Sequence, residues 1–152
     1  MPIYKAPAAI ENRNKALKSI FLAGSIEMDK AIDWQKACEI ALADDFNVLN
    51  PRRTTWNNSW KQTKDNPLFR EQVEWELDAL QQADKILLYF AAGTKSPISL
   101  LEFGLYAQSG KLLVACAEDF WRKGNVDIVC ERYQIPQFHS LEEAMEAIKT
   151  AH

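Results

Sequence analysis

Histidine is nearly missing from this sequence, with His139 and the final His152 the only two, and the scarcity excludes most chemistry built on imidazole. A serine-histidine-acid triad finds no constellation here, and metal sites lack their commonest ligand. Cysteine is sparse too: Cys38, Cys116 and Cys130 are an odd number without metal-ligand spacing. Cys38 and Cys116 lie inside apolar runs, so buried free thiols in a reducing compartment are expected. With five glycines, the chain has neither the G-x-G-x-x-G of dinucleotide sites nor the glycine-lysine signature of phosphate loops. No stretch approaches the ~18 apolar residues of a membrane span, and the segment around Pro2, Lys5 and Pro7 has no apolar signal core. A cytoplasmic protein with no membrane partner is expected. Positive charge is not in excess either: 18 basic against 21 acidic residues leave −3. Apart from Arg52-Arg53 the basic residues are scattered, which argues against duplex nucleic acid and for a small-molecule partner.

What is present describes an ordinary globular chain. Its 152 residues, 47% hydrophobic and 26% charged, suit one domain over residues 1–152, with residues 1–18 a polar lead-in arm carrying a short helix over Ala8 to Leu17. Ser19 to Ile26 reads as a buried parallel strand ending in a Gly24-Ser25 turn. A helix from Asp29 to Asp44 follows, then a second strand from Phe46 to Leu49, stopped by Asn50-Pro51. Residues 52–66 are long and polar for a connector and form a candidate lid. A helix runs from Pro67 to Ala83, a third strand from Lys85 to Phe90, and a helix from Ser96-Pro97 toward Gly110, with the Ser96 hydroxyl as cap and proline in the first turn. A fourth strand spans Leu112 to Cys116. A helix over Val126 to Arg132, a short strand at Gln137-Phe138 and a helix opened by the capping box Ser140 to Glu143 complete the chain.

Strands alternating with helices predict an α/β, flavodoxin-like three-layer sandwich. Its five-stranded parallel sheet has the order 2-1-3-4-5, counting predicted strands. Ligands bind such sheets outside the carboxyl ends of the strands, at the switch point between the first and third. Ala23 to Glu27, Asn50 onward, and Phe90 to Glu102 converge there.

Two carboxylates stand out against this frame. Glu102 is the only charged side chain in a helix whose other residues are apolar nearly all round, a pattern that predicts burial on every side. Either it has a catalytic or ligand role, or Ser99 and Glu102 form a capping box, which requires a helix starting later than Pro97. Glu76 falls on the stripe Phe69, Val73, Leu80 and Ala83 and is expected at the inner face or its rim, whereas Glu71, Glu74 and Asp78 read as a solvated face. Asp84 ends the helix or takes part in the site. Two carboxylates converging on a pocket can divide acid and nucleophile work on a glycosidic bond. Gly24 argues for a close backbone approach. Trp34, Trp56, Trp60 and Trp121 pack the core or stack on a flat heterocycle.

The segments IFLAGSI (Ile20 to Ile26), NPRR (Asn50 to Arg53), QVEWELDALQQAD (Gln72 to Asp84) and SPISLLEFGLYA (Ser96 to Ala107) together resemble the nucleoside 2-deoxyribosyltransferases and related N-glycosidases. The resemblance implies Glu102 as the nucleophile and Glu76 as the carboxylate serving the base or leaving group. It implies substrate contacts from Gly24, Ser25, Asp84, Ser96, Asn50 and Arg52. Asn125 corresponds to an asparagine that the family lends to a neighbouring subunit's pocket, which implies a homo-oligomer with shared active sites. No cofactor is implied. The family's nucleophile-orienting tyrosine falls on Phe21, which has no hydroxyl.

Three activities fit. The first is transfer of deoxyribose from a nucleoside to a free nucleobase by double displacement. The second is hydrolysis of 2'-deoxynucleoside 5'-monophosphates, to which Ser96 and the Gly24-Ser25 turn offer donors. The third is non-catalytic nucleotide sensing.

Overall fold

The apolar runs form strands because both faces of the sheet are covered. The computed structural model describes residues 2–24, 33–53 and 59–151. In chain order the elements are β1 (Ile3–Lys5), β2 (Lys18–Gly24), α1 (Trp34–Leu42), β3 (Phe46–Asn50), α2 (Pro67–Gln82), β4 (Lys85–Phe90), α3 (Pro97–Tyr106), β5 (Leu112–Cys116), α4 (Lys123–Tyr133), β6 (Gln137–Phe138) and α5 (Leu141–Ala151). Ile20 and Leu22 of β2 pack toward Trp34, Cys38 and Leu42 of α1 and Leu141, Ala144 and Ile148 of α5. The alternate residues Phe21 and Ala23 face the opposite layer, built from Ala79 and Leu80 of α2, Phe103 of α3, and Val126 and Cys130 of α4. Each strand thus divides its side chains by the two-residue period between two cores.

All pairings are parallel, in the order β1-β3-β2-β4-β5-β6. Five of these are the predicted strands in the predicted order. The sixth corrects the expectation of an arm: Ile3, Tyr4 and Lys5 pair with Val48, Leu49 and Asn50 as an edge strand. The helix expected over Ala8 to Leu17 is replaced by successive turns, closed by Ala8 N to Lys5 O, Arg13 N to Ile10 O and Leu17 N to Asn14 O. Local side-chain bonding explains the replacement. Asn14 Oδ1 accepts from the Ala16 amide, and Asn47 Nδ2 donates to the Asn14 carbonyl at 2.7 Å and to the Leu17 carbonyl at 3.2 Å, pinning the segment in its turns.

Helix ends follow local chemistry. Asn66 accepts from the Leu68 and Phe69 amides with Pro67 in the first turn of α2, and Asp33 accepts from the Lys36 amide at the start of α1. The helix expected from Asp29 begins at Trp34 within the described residues, residues 25–32 lying outside them. At α3 the capping expectation is corrected: Ser96 sits at the cap position in the left-handed region (φ 51°) and its hydroxyl makes no cap bond. It meets Thr94 Oγ1 at 2.9 Å instead. Glu143 and Ser140 bond as a capping pair, with the Glu143 carboxylate accepting from the His139 amide.

A second correction concerns the surface of α3. Ser99, Glu102 and Phe103 are buried, but Ile98, Leu101 and Leu105 are 59%, 58% and 56% exposed. A helix lying on one side of a sheet has only one stripe covered, so its apolar composition could not be buried all round within this layer.

Candidate active site

β2 lies between β3 and β4, and the connections from these strands depart in different directions, so their carboxyl ends frame the crevice of a doubly wound sheet. Gly24 closes β2 there. Its φ of 154° and the approach of Trp34 Cζ2 and the Tyr89 carbonyl, which would lie 2.5 and 2.6 Å from an added Cβ, leave no room for a side chain. The close approach is made by the protein's own ring and backbone. Ser25 lies outside the described residues, as do Trp56 and the rest of residues 54–58, within the stretch expected as a lid.

The centre of the site is a pair of carboxyl groups from neighbouring helices. Glu102, 7% exposed, projects from the inner face of α3, and its carboxyl is hydrogen-bonded to that of Glu76 on α2. Because α3 starts at Pro97, Ser99 is already inside the helix, and the capping-box alternative for Glu102 falls away. Burial, and then the charge of Glu76, hold the Glu102 carboxyl well above the ordinary carboxylate range. Burial also pushes Glu76 up, to about 7, against the opposing effect of donation from Gln72 and Glu102. Two acids this close do not ionise independently, so around neutral pH they retain a shared proton.

The inner face of α2 keeps the predicted Leu80 and Ala83 but departs from the predicted stripe at Val73. Val73 is 37% exposed, and the buried positions are Gln72, Ala79 and Leu80, with Glu76 partly covered between them. Gln72 was not singled out by the sequence reading; its spacing of four from Glu76 was the available signal. Its Nε2 donates to the Pro51 carbonyl at 2.8 Å and to Glu76 Oε2 at 3.0 Å, tying α2 to the chain leaving β3. Glu71, Glu74 and Asp78 are exposed, as expected of a solvated face.

The other residues named from sequence divide into two groups. Asn50 and Arg52 lie at the carboxyl end of β3 but are committed to α1: Asn50 Nδ2 donates to the buried Glu39 at 2.8 Å, and Arg52 Nε contacts Gln35 at 3.2 Å and Asp33 at 3.3 Å. Ser96 is buried at the start of α3, beside Lys95. Asp84 is corrected outright. It precedes β4 at the amino end of the sheet, a strand length of ~20 Å from the crevice, and there its carboxylate accepts from the Ser19 amide at 2.7 Å. Asn125 is exposed on the first turn of α4 and does not join the carboxyl pair.

The tryptophans serve several ends. Trp34 is a core residue, edge-on to Tyr89 at 5.3 Å. Trp60 lies under Arg53 at 5.3 Å, and Trp121 contacts both Lys95 and Arg122 at 4.4 Å. The three cysteines are free and buried. Burial pushes the Cys38 and Cys130 thiols up to about 12 and Cys116 to about 11, so none is a thiolate nucleophile at neutral pH. Among the described residues, no group of three or more His, Cys, Asp and Glu side chains could hold a metal ion, and no helix is long and apolar enough to cross a membrane.

The domain is thus a doubly wound α/β sandwich in which two helices bring together a pair of hydrogen-bonded carboxyl groups with raised pKa values. Residues 17–120, about two thirds of the chain, match the family described as nucleoside 2-deoxyribosyltransferase like. The chain belongs to that family. The matched span contains both Glu76 and Glu102 and excludes β1 and Asn125. No curated protein matches the sequence.

Proposed function

We propose that the protein cleaves the N-glycosidic bond of 2'-deoxynucleosides by double displacement and passes the sugar to another nucleobase. The observation that carries this reading is the hydrogen-bonded pair Glu76 and Glu102. One proton on the pair supplies both roles. Transfer of that proton from Glu102 to Glu76 leaves a carboxylate on α3 and an acid on α2. Glu102 then attacks C1', the C1'–N bond breaks with its electron pair going to the base nitrogen, and Glu76 protonates the departing base. The sugar is held as an ester of Glu102. A second base attacks C1', the ester bond breaks to restore the Glu102 carboxylate, and the proton lost by the incoming nitrogen returns to Glu76.

A second reading, hydrolysis of the 5'-monophosphate, is favoured by one feature: Lys95 and Arg122 place two cations around Trp121 beside Ser96, a setting suited to a phosphate. Incubation of a 2'-deoxynucleoside and its 5'-monophosphate, each with and without a second free base, tests both readings. Exchange of bases supports transfer, release of free sugar phosphate supports hydrolysis, and saturable binding without turnover points to a sensor. In the same assay Glu102→Gln should lose at least about 1000-fold in turnover, ~4 kcal/mol of barrier, and a loss within tenfold would overturn the role of Glu102.

The protein is further read as a cytoplasmic homo-oligomer. Exposed Val73 and Leu77 on α2 and Ile98, Leu101 and Leu105 on α3 give two adjacent helices an apolar outer surface suited to a second copy. Asn125, exposed on α4, is available to a neighbouring site.

A further inference from the structure

Gln72 is 5% exposed and its amide orientation is fixed. Nε2 has two hydrogens, and both are used: one on the Pro51 carbonyl, which can only accept, and one on Glu76 Oε2. Rotating the amide would place its oxygen against the Pro51 carbonyl, which has no hydrogen to give. As oriented, Oε1 is buried with no hydrogen-bond partner among the described residues, an arrangement that costs stability. A side chain held only for packing would do better as an apolar residue of the same length. Its donor end, in contrast, acts directly on one member of the carboxyl pair.

We propose that Gln72 is a positioning residue that decides where the pair keeps its proton, holding the negative charge on Glu76 and the proton on Glu102 in the resting protein. The proposal rests on the paired-acid reading of the site. A neutral donor bonded to Glu76 Oε2 stabilises that group as an anion and leaves Glu102, itself bonded to Glu76, as the member that stays protonated. Other charged groups near this part of α2 are already engaged elsewhere: Arg53 with Glu71 at 2.8 Å and with Trp60, and Arg70 with Glu74 at 3.2 Å. From α3 the facing titratable groups are Glu102 itself and Tyr106, whose hydroxyl is raised by burial and by the Glu102 charge. Substrate arrival then has one task, to draw the proton across to Glu76.

The test is a carboxyl titration of the substrate-free protein, labelled with carboxyl-carbon-13 glutamate and followed by NMR, with Glu76→Gln and Glu102→Gln used to assign the pair. Gln72→Met should raise the lower midpoint of the pair by roughly one unit, because the anion loses its donor. Gln72→Glu should raise it further, by adding a like charge. The thermal midpoint of Gln72→Met at about pH 5, where Glu76 is protonated, should stay within about 3 °C of wild type, since an unpartnered buried oxygen is removed along with the bonds. If both variants leave the lower midpoint within about 0.3 units of wild type, or if Gln72→Met only lowers stability without moving it, the proposal is wrong. Should Gln72→Met not fold, the Gln72→Glu titration decides alone. The readout needs no turnover, so failure here is separate from failure of the proposed reaction, which the activity of Glu102→Gln decides.

Discussion

Glu76 and Glu102 come from different helices, share a hydrogen bond, and lie where burial disfavours ionisation of both. The arrangement is unfavourable for a fold and useful for a displacement. Folding brings together two acids that water would keep apart, and the cost returns as a protonated acid available around neutral pH.

That cost should be visible in stability against pH. Both groups bind protons more tightly folded than unfolded, so their contribution is present at low pH and is lost as pH rises from the ordinary 4.5 through the folded value, about 7 for Glu76 and above the ordinary range for Glu102. Wild type should therefore lose stability between about pH 5 and pH 8, and Glu102→Gln should lose less, melting a few degrees higher than wild type at the alkaline end. Thermal unfolding of both proteins at the two pH values checks this. Identical pH dependence would contradict the buried pair.

Glu76 should reveal its role through the leaving group. Glu76→Gln is expected to slow reactions with poor leaving bases at least about tenfold more than those with activated bases, because a good leaving group needs little acid help. Rates are compared in folded, concentration-corrected protein. An unchanged ratio would mean that Glu76 does not protonate the base.

The exposed apolar surface of α2 and α3 predicts self-association. Wild type should sediment as an oligomer, and Leu101→Glu should shift it toward monomer without unfolding it, since Leu101 is 58% exposed in the single chain. If sites are shared, mixing inactive Glu102→Gln with a crippled Asn125→Ala should restore activity, because one composite site then regains both intact residues. A monomeric wild type, or no gain on mixing, would contradict shared sites.

Much of this was legible because it rests on periodicity. The uninterrupted apolar strands required cover on both faces, and Glu102 was conspicuous as a lone charge on an apolar helix. The edge strand β1 was not legible, because three residues, Ile3 to Lys5, carry no pattern of their own and are extended only by pairing with Val48 to Asn50. The same holds for the turns that replace the Ala8 to Leu17 helix, set by the distant Asn47 amide. Gln72 escaped because a polar residue four positions from an acid reads as helix surface until tertiary packing turns that face inward. Asp84 misled for the opposite reason: its motif position suggested the site, whereas strand direction puts it at the far end of the sheet. The exposed leucines of α3 show a limit of composition, which records that a surface is apolar and not what covers it.

The central claim, a sugar carried on Glu102, is tested most directly by trapping it. A 2'-fluoro-2'-deoxynucleoside slows both displacements, and if the second is slowed more, the intermediate accumulates. Mass spectrometry of digested protein should then find one fluorinated sugar residue added to the peptide containing Glu102, and none in Glu102→Gln. Label on another residue, or turnover with inversion at C1' and no adduct, would contradict the account.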